Sequence, residues 1–220
     1  MKRLSILALM GGLLIAQPGF SGDKYPDITT DGLTRAASKN LDAVYWASEA
    51  NLAGYSKIMI ADCEVSFRKH WQRDQNRDRR SIDRVDAKDM ERIRRDMSKR
   101  FKEVFAKELQ EDGAFEIVDA AGDDVLLLQP QIVDLDLFAP DVSAPTRTRV
   151  FTTSAGRMTL KMDLMDSTTQ AVIGRVIDRR RAREDSVARI TNSVTNRVEM
   201  DRVMRRWARI LRDSFEAAAS

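Results

Sequence analysis

Apolar positions recur along this chain with two different periods, and the switches between them place most of the secondary structure. Met59, Ala61, Cys63, Val65 and Phe67 share one side at period two, which predicts a strand over 56–67. Residues 68–84 are dominated by charge and predict a solvated loop. Met90, Ile93, Met97, Phe101, Val104 and Phe105 then follow at three- and four-residue spacing, the stripe of a helix opened by Asp86 and ended by Gly113. A short strand over 114–119 and a turn at Gly122-Asp123-Asp124 lead into an extended segment from Val125 to about Phe138. Its later part alternates Val133, Leu135 and Leu137 with Asp134 and Asp136, giving one wet face, while Pro130 argues for a bulge or an edge position. An excursion over 139–156 carries a short strand at 148–152. Met158, Leu160, Met162 and Leu164 then form one arm of a hairpin, with a turn over 166–170 and a return over 171–179. Asn196 and Glu199 read as the reciprocal cap of a last helix. That helix buries Val203, Met204, Trp207, Ile210, Leu211 and Phe215 and turns Arg202, Arg205, Arg206, Arg209 and Arg212 outward.

The resulting order is β-α-β-β-(β)-β-β-α. Two long one-sided helices and a mostly antiparallel sheet predict an α+β fold, a two-layer sandwich with both helices on one face. Residues 55–216 form the single domain. Residues 22–54 are a polar lead-in with scattered apolar anchors at Leu41, Val44, Tyr45, Trp46 and Leu52.

The first residues change where such a domain is expected to work. Lys2 and Arg3 precede an apolar stretch from Leu4 to Ala16, and Pro18-Gly19-Phe20-Ser21 ends it with small residues at the right places for cleavage after Ser21. The run is shorter than the roughly 20 residues a spanning helix needs. Residues 1–21 therefore read as a cleaved signal peptide directing the chain to the periplasm. No cysteine lies in or just after that stretch, so no lipid anchor is expected.

Composition narrows the chemistry. Among 220 residues there are 37 basic and 34 acidic side chains, a formal +3, and losing Lys2 and Arg3 with the signal lowers this to +1. Such a balance gives no reason to expect a nucleic-acid partner. The one cysteine, Cys63, rules out an internal disulfide and reads as a buried thiol. With a single histidine, His70, seven residues away, it lacks the companions of a zinc site, so neither metal nor cofactor is expected. Two chemistries remain. Asp134 and Asp136, if they share a strand face, offer paired carboxylates for a hydrolase acting on an envelope polymer. Arg179, Arg180 and Arg181, with Arg205, Arg206 and Arg209 on the last helix, offer a surface for an envelope protein, a glycan or an anionic lipid headgroup. The second reading, a non-enzymatic binding or assembly domain, leads because no catalytic cluster accompanies the carboxylates.

Several segments carry a family resemblance. They are Leu41-Asp42-Ala43-Val44-Tyr45, Tyr55-Ser56-Lys57-Ile58-Met59-Ile60 and the run from Val65 to Asp74. Asp124 to Pro130, Asp134-Leu135, Ala139-Pro140-Asp141, Gly156 to Leu160, Leu164 to Ser167 and Val176 to Arg180 continue it. In this order and spacing the chain resembles the bacterial DUF3313 family over about residues 30–215. The resemblance implies an exported envelope protein and supplies no catalytic residues. Members often look like lipoproteins with a cysteine after the signal, and this sequence departs from them at that residue.

Overall fold

Thirteen residues from Val125 to Leu137 form the strand on which the sheet is built, numbered β6 in chain order. The computed structural model describes residues 24–77, 79, 81, 84–137, 150–154, 156–181, 184–191 and 193–219; the signal and most of the 139–156 excursion lie outside them. The strands before β6 are β1 (Thr34–Ala36), β2 (Ala43–Trp46), β3 (Lys57–Ile60), β4 (Glu64–Phe67) and β5 (Glu116–Ile117). After it come β7 (Val150–Ser154), β8 (Gly156–Asp166), β9 (Val172–Arg181) and β10 (Glu184–Thr191). The main sheet runs β1-β2-β9-β8-β6-β3-β5, with β4 also against β6. Pairing is parallel among β3, β4, β5 and β6 and antiparallel from β6 through β8, β9 and β2 to β1. Beyond the β8–β9 hairpin, β7 and β10 pair antiparallel as a separate two-stranded ribbon.

The predicted strand over 56–67 is two strands, and Pro130 explains the interruption. β3 pairs with Val125–Leu128 and β4 with Gln131–Leu135, leaving Gln129 and Pro130 opposite the break. The Leu128 carbonyl accepts from the Ala61 nitrogen at 3.0 Å, so Leu128 turns its backbone groups toward that side. Two residues on, Pro130 turns its nitrogen the same way, into the gap, where a missing N–H costs nothing. Pro130 thus sits inside the sheet, paired with Met162, rather than at an edge or a bulge. The bulge comes later: between Val133 and Asp136 the register against β8 slips, and Asp134 takes a left-handed φ of 54°.

Two long helices cover one face. α1 (Trp71–Asn76) is a short helix within the expected loop, held by Trp71, whose indole is buried and donates to the Leu137 carbonyl at 3.1 Å. α2 (Ala87–Leu109) begins at Asp86 with a reciprocal cap, the Asp86 carboxylate accepting from Asp89 N and the Asp89 carboxylate from Asp86 N. α3 (Ser193–Ala219) starts before Asn196, which lies inside the helix rather than at its cap. Arg100 grips Asp201 through two bonds of 2.8 and 2.6 Å, and Arg209 reaches Glu108 at 2.8 Å. Both links advance eight residues on each helix, so α2 and α3 run parallel. Their apolar sides meet the inner sheet face: Phe101, Phe105, Leu109, Met204, Trp207 and Phe215 pack on Leu126, Leu128, Ile132, Leu160 and Leu164.

Part of the lead-in belongs to the sheet. β2 pairs along β9, and Leu33, Ala43 and Tyr45 form a small second core backed by Tyr25, Val172 and Ile177. Gly174 permits this docking: a Cβ there would fall 2.5 Å from the Trp46 ring.

Candidate functional site

The two carboxylates expected on one wet face are separated by the bulge. Register places Asp136 opposite Arg157, on the sheet face of Val133 and Thr159, while Leu135 and Leu137 join the helix-side core. Asp134 is exposed. Asp136 is 1% exposed and held between two arginines. Arg157 donates to Asp136 Oδ2 from Nε at 3.1 Å and from Nη2 at 2.8 Å. Arg68 Nε stands 2.9 Å from Oδ1 without a hydrogen-bond angle, so that contact is an ion pair alone. Arg68 also bonds Asp74 at 2.7 Å, and this partnership holds the Asp74 carboxyl below the usual range. Among the cavities described below, none is lined by Asp134 or Asp136.

The arginines expected to form one anionic-partner surface are divided among different settings. Asp178, with no exposed surface, accepts from Trp207 Nε1 at 2.7 Å, Arg180 Nε at 2.6 Å and Asp42 N at 3.1 Å. Arg180 also reaches the Asn40 carbonyl, so it is a fastener between sheet, helix and lead-in. Its neighbours Arg179 and Arg181 alternate away from it and are exposed. On α3, Arg209 is taken by Glu108, whereas Arg205 is half-buried and Arg206 exposed, neither with a carboxylate partner among the described residues.

Among the described residues, three concave places bear on function. Between α3 and the β2–β9 region lies an apolar crevice of about 40 Å³ lined by Trp46, Leu52, Val176, Trp207, Ile210 and Phe215. Its one hydroxyl, on Ser214, already donates to the Ile210 carbonyl. A larger groove of about 550 Å³ runs between the β3–β4 break and α2, with Cys63 and Val65 below and Arg94, Arg95, Ser98 and Lys102 along the helix. Cys63 is buried there, and burial pushes its thiol up to about 12. At Glu91 and Arg95 this groove meets another of about 330 Å³ bordered by Lys88, Asp89 and Arg92. His70 is exposed in a left-handed conformation just before α1. Among the described residues no three histidine, cysteine, aspartate or glutamate side chains gather as a metal site. No described helix is long and apolar enough to cross a membrane.

What sequence reasoning missed is that three of the buried carboxylates are neutralised by distant arginines: Asp136 by Arg68, Asp201 by Arg100 and Glu108 by Arg209. The available signal was the excess of arginine over lysine in and around the helices, which suits forked ion pairs.

A family profile described as a protein of unknown function, DUF3313, matches residues 17–211. Among solved structures, a PelC dodecamer from Paraburkholderia phytofirmans is 13% identical, with 74% of this chain and 96% of that one covered at a TM-score of 0.36. A Xanthomonas campestris protein of the DUF330 family is 11% identical, covering 76% of this chain and 86% of that one at a TM-score of 0.41. A comparison with curated proteins returns no match.

Proposed function

This chain belongs to the DUF3313 family of proteins of unknown function, and from that premise we propose that it is a non-enzymatic binding or assembly domain of the cell envelope. It is an exported bacterial protein with a signal peptide, which sets the compartment. The observation that carries the reading is the state of its buried carboxylates. Asp89, Glu108, Asp136, Asp178 and Asp201 are each engaged by an arginine of the same chain. A general acid or base must reach the proton it moves, and these groups are turned inward to hold elements together. The exposed surface, by contrast, offers cations and a grooved sheet edge, which suit recognition.

The test sets turnover against association. Purified mature protein is incubated with peptidoglycan and with acidic envelope polysaccharide while released soluble fragments are measured. In parallel, the chain is crosslinked in cells to whatever it contacts. The reading expects no release above buffer and a discrete crosslinked complex. Steady fragment release that disappears in D136N, with no complex, would overturn it.

A further inference from the structure

We propose that the groove between β4 and α2 receives an extended acidic segment of an envelope partner protein, which adds to the sheet as a strand along the outer edge of β4. This rests on the binding reading above and deepens it.

The backbone makes the first part of the case. β4 pairs with β6 on one side, and among the described residues no strand lies on its other side. β5 shields only the start of this edge: it pairs with Lys57 and Ile58, and Val118 N donates to the Ile58 carbonyl. From Met59 to Phe67 the outer row of N–H and C=O groups is left without a strand partner among the described residues. An unpaired row of this kind is a template for another strand, unless bulges, prolines or a cover blunt it. No proline interrupts Glu64–Phe67, and the register slip between Val65 and Phe67 puts its extra residue in β6, not in β4.

The side chains make the second part. The groove of about 550 Å³ has this edge as its floor and the flank of α2 as its wall. Carboxylates on the wall are already engaged: Asp89 by Arg92 at 2.9 Å, Glu91 by Arg94 at 3.3 Å and Glu103 by Arg100 at 3.2 Å. Lys88 and Arg95 have no carboxylate partner among the described residues. Lys99 and Lys102 have only long contacts, 4.0 Å to Glu103 and 3.8 Å to the exposed Asp119. The wall therefore presents more positive charge than it neutralises, and the cations that line the groove exceed its carboxylates even with Asp62 on the floor included. A strand laid on β4 projects alternate side chains toward that wall, and acidic ones would meet these cations. Charge also selects the occupant. A second copy of this chain, paired edge to edge, would bring its own cationic α2 flank against this one, and like charges in close register are unfavourable.

The probe is a fluorescein-labelled peptide alternating Glu and Val over seven residues, titrated into the full mature chain and followed by anisotropy. Saturable binding is expected, weakened about tenfold in Arg95→Glu combined with Lys102→Glu. Replacing the central Val of the peptide with Pro should abolish it, because proline removes a ladder donor. Amide exchange within Glu64–Phe67 should slow on binding. No binding, or equal affinity for the proline peptide, would overturn the proposal, as would self-association through this edge. Should the double variant keep its crosslinked partner in cells while wild type ignores the peptide, the groove assignment falls and the binding reading stands.

Discussion

Trp207 Nε1 donates to Asp178 Oδ2 at 2.7 Å, fastening the last helix to the sheet at a carboxylate with no exposed surface. Arg180 supplies the charge for that carboxylate, and Asp42 N joins the lead-in to it. Three segments far apart in sequence thus meet at one buried anion. Asp178→Ala should cost about 3–5 kcal/mol, because it strands Arg180 and empties a packed site. Trp207→Phe, which leaves Asp178 Oδ2 bonded to Arg180 Nε, should cost about 1–3 kcal/mol for the one lost hydrogen bond to a charged acceptor. Urea unfolding followed by circular dichroism distinguishes the two, and equal small losses would show that this hub contributes little.

The parallel helix pair carries its own prediction. Asp201 is 8% exposed and its partner Arg100 41%, so Arg100→Ala should destabilise by about 2 kcal/mol after allowance for solvent screening. Arg209→Ala should cost about 1 kcal/mol through the loss of Glu108. Arg205→Ala with Arg206→Ala should stay within about 0.5 kcal/mol, since neither side chain holds a carboxylate among the described residues. Thermal melts of the three variants check the ranking. They also show which of these arginines are available to an anionic partner without a cost in stability.

Alkaline pH should weaken the fold. Burial raises the Cys63 thiol from 9.0 to about 12, and burial together with the Asp166 carboxylate raises Tyr55 from 10.0 to about 12. A group whose value is raised on folding binds its proton more tightly in the native state. Its contribution is complete below the unfolded value and is lost as pH climbs through the folded one. Urea midpoints should therefore fall between pH 9 and about 12. Cys63→Ala should flatten the decline that Cys63 causes, and an unchanged slope in that variant would assign the decline elsewhere.

Gly174 faces a specific obstacle, the Trp46 ring 2.5 Å from where its Cβ would stand. Gly174→Ala should cost about 1–3 kcal/mol by overpacking. Adding Trp46→Leu should recover part of that loss, and a double-mutant cycle measures the coupling. Additive effects would mean the two do not press on one another.

Local patterning made the two long helices, the β8–β9 hairpin and β6 legible, because each keeps one period long enough to be read, whereas the six-residue α1 lay in a stretch read as loop. The Asp86 cap was legible for the same reason, its signal being confined to one turn. The break between β3 and β4 was not, since Met59 to Phe67 keeps an unbroken alternation and only pairing with β6 reveals Pro130 opposite the gap. The left-handed turn at Asp134 escaped likewise, and it puts Leu135 on the opposite face from Val133 and brings Asp136 onto the Val133 face. β1 and β2 are three and four residues long, too short for a period to register against polar neighbours. The site suffers most from distance. Arg68 and Asp136 lie far apart in sequence, and an ion pair between them follows from the fold rather than from any spacing in the chain.

The most direct test of the binding reading is photo-crosslinking of the exported protein in living cells, with a photoreactive residue replacing Ser98 in the α2 groove. The expected result is one discrete adduct with an envelope macromolecule, lost when Arg95→Glu and Lys102→Glu are introduced. A chain that stays unlinked from every position tried on its surface, while it releases soluble fragments from envelope polymer, would contradict it.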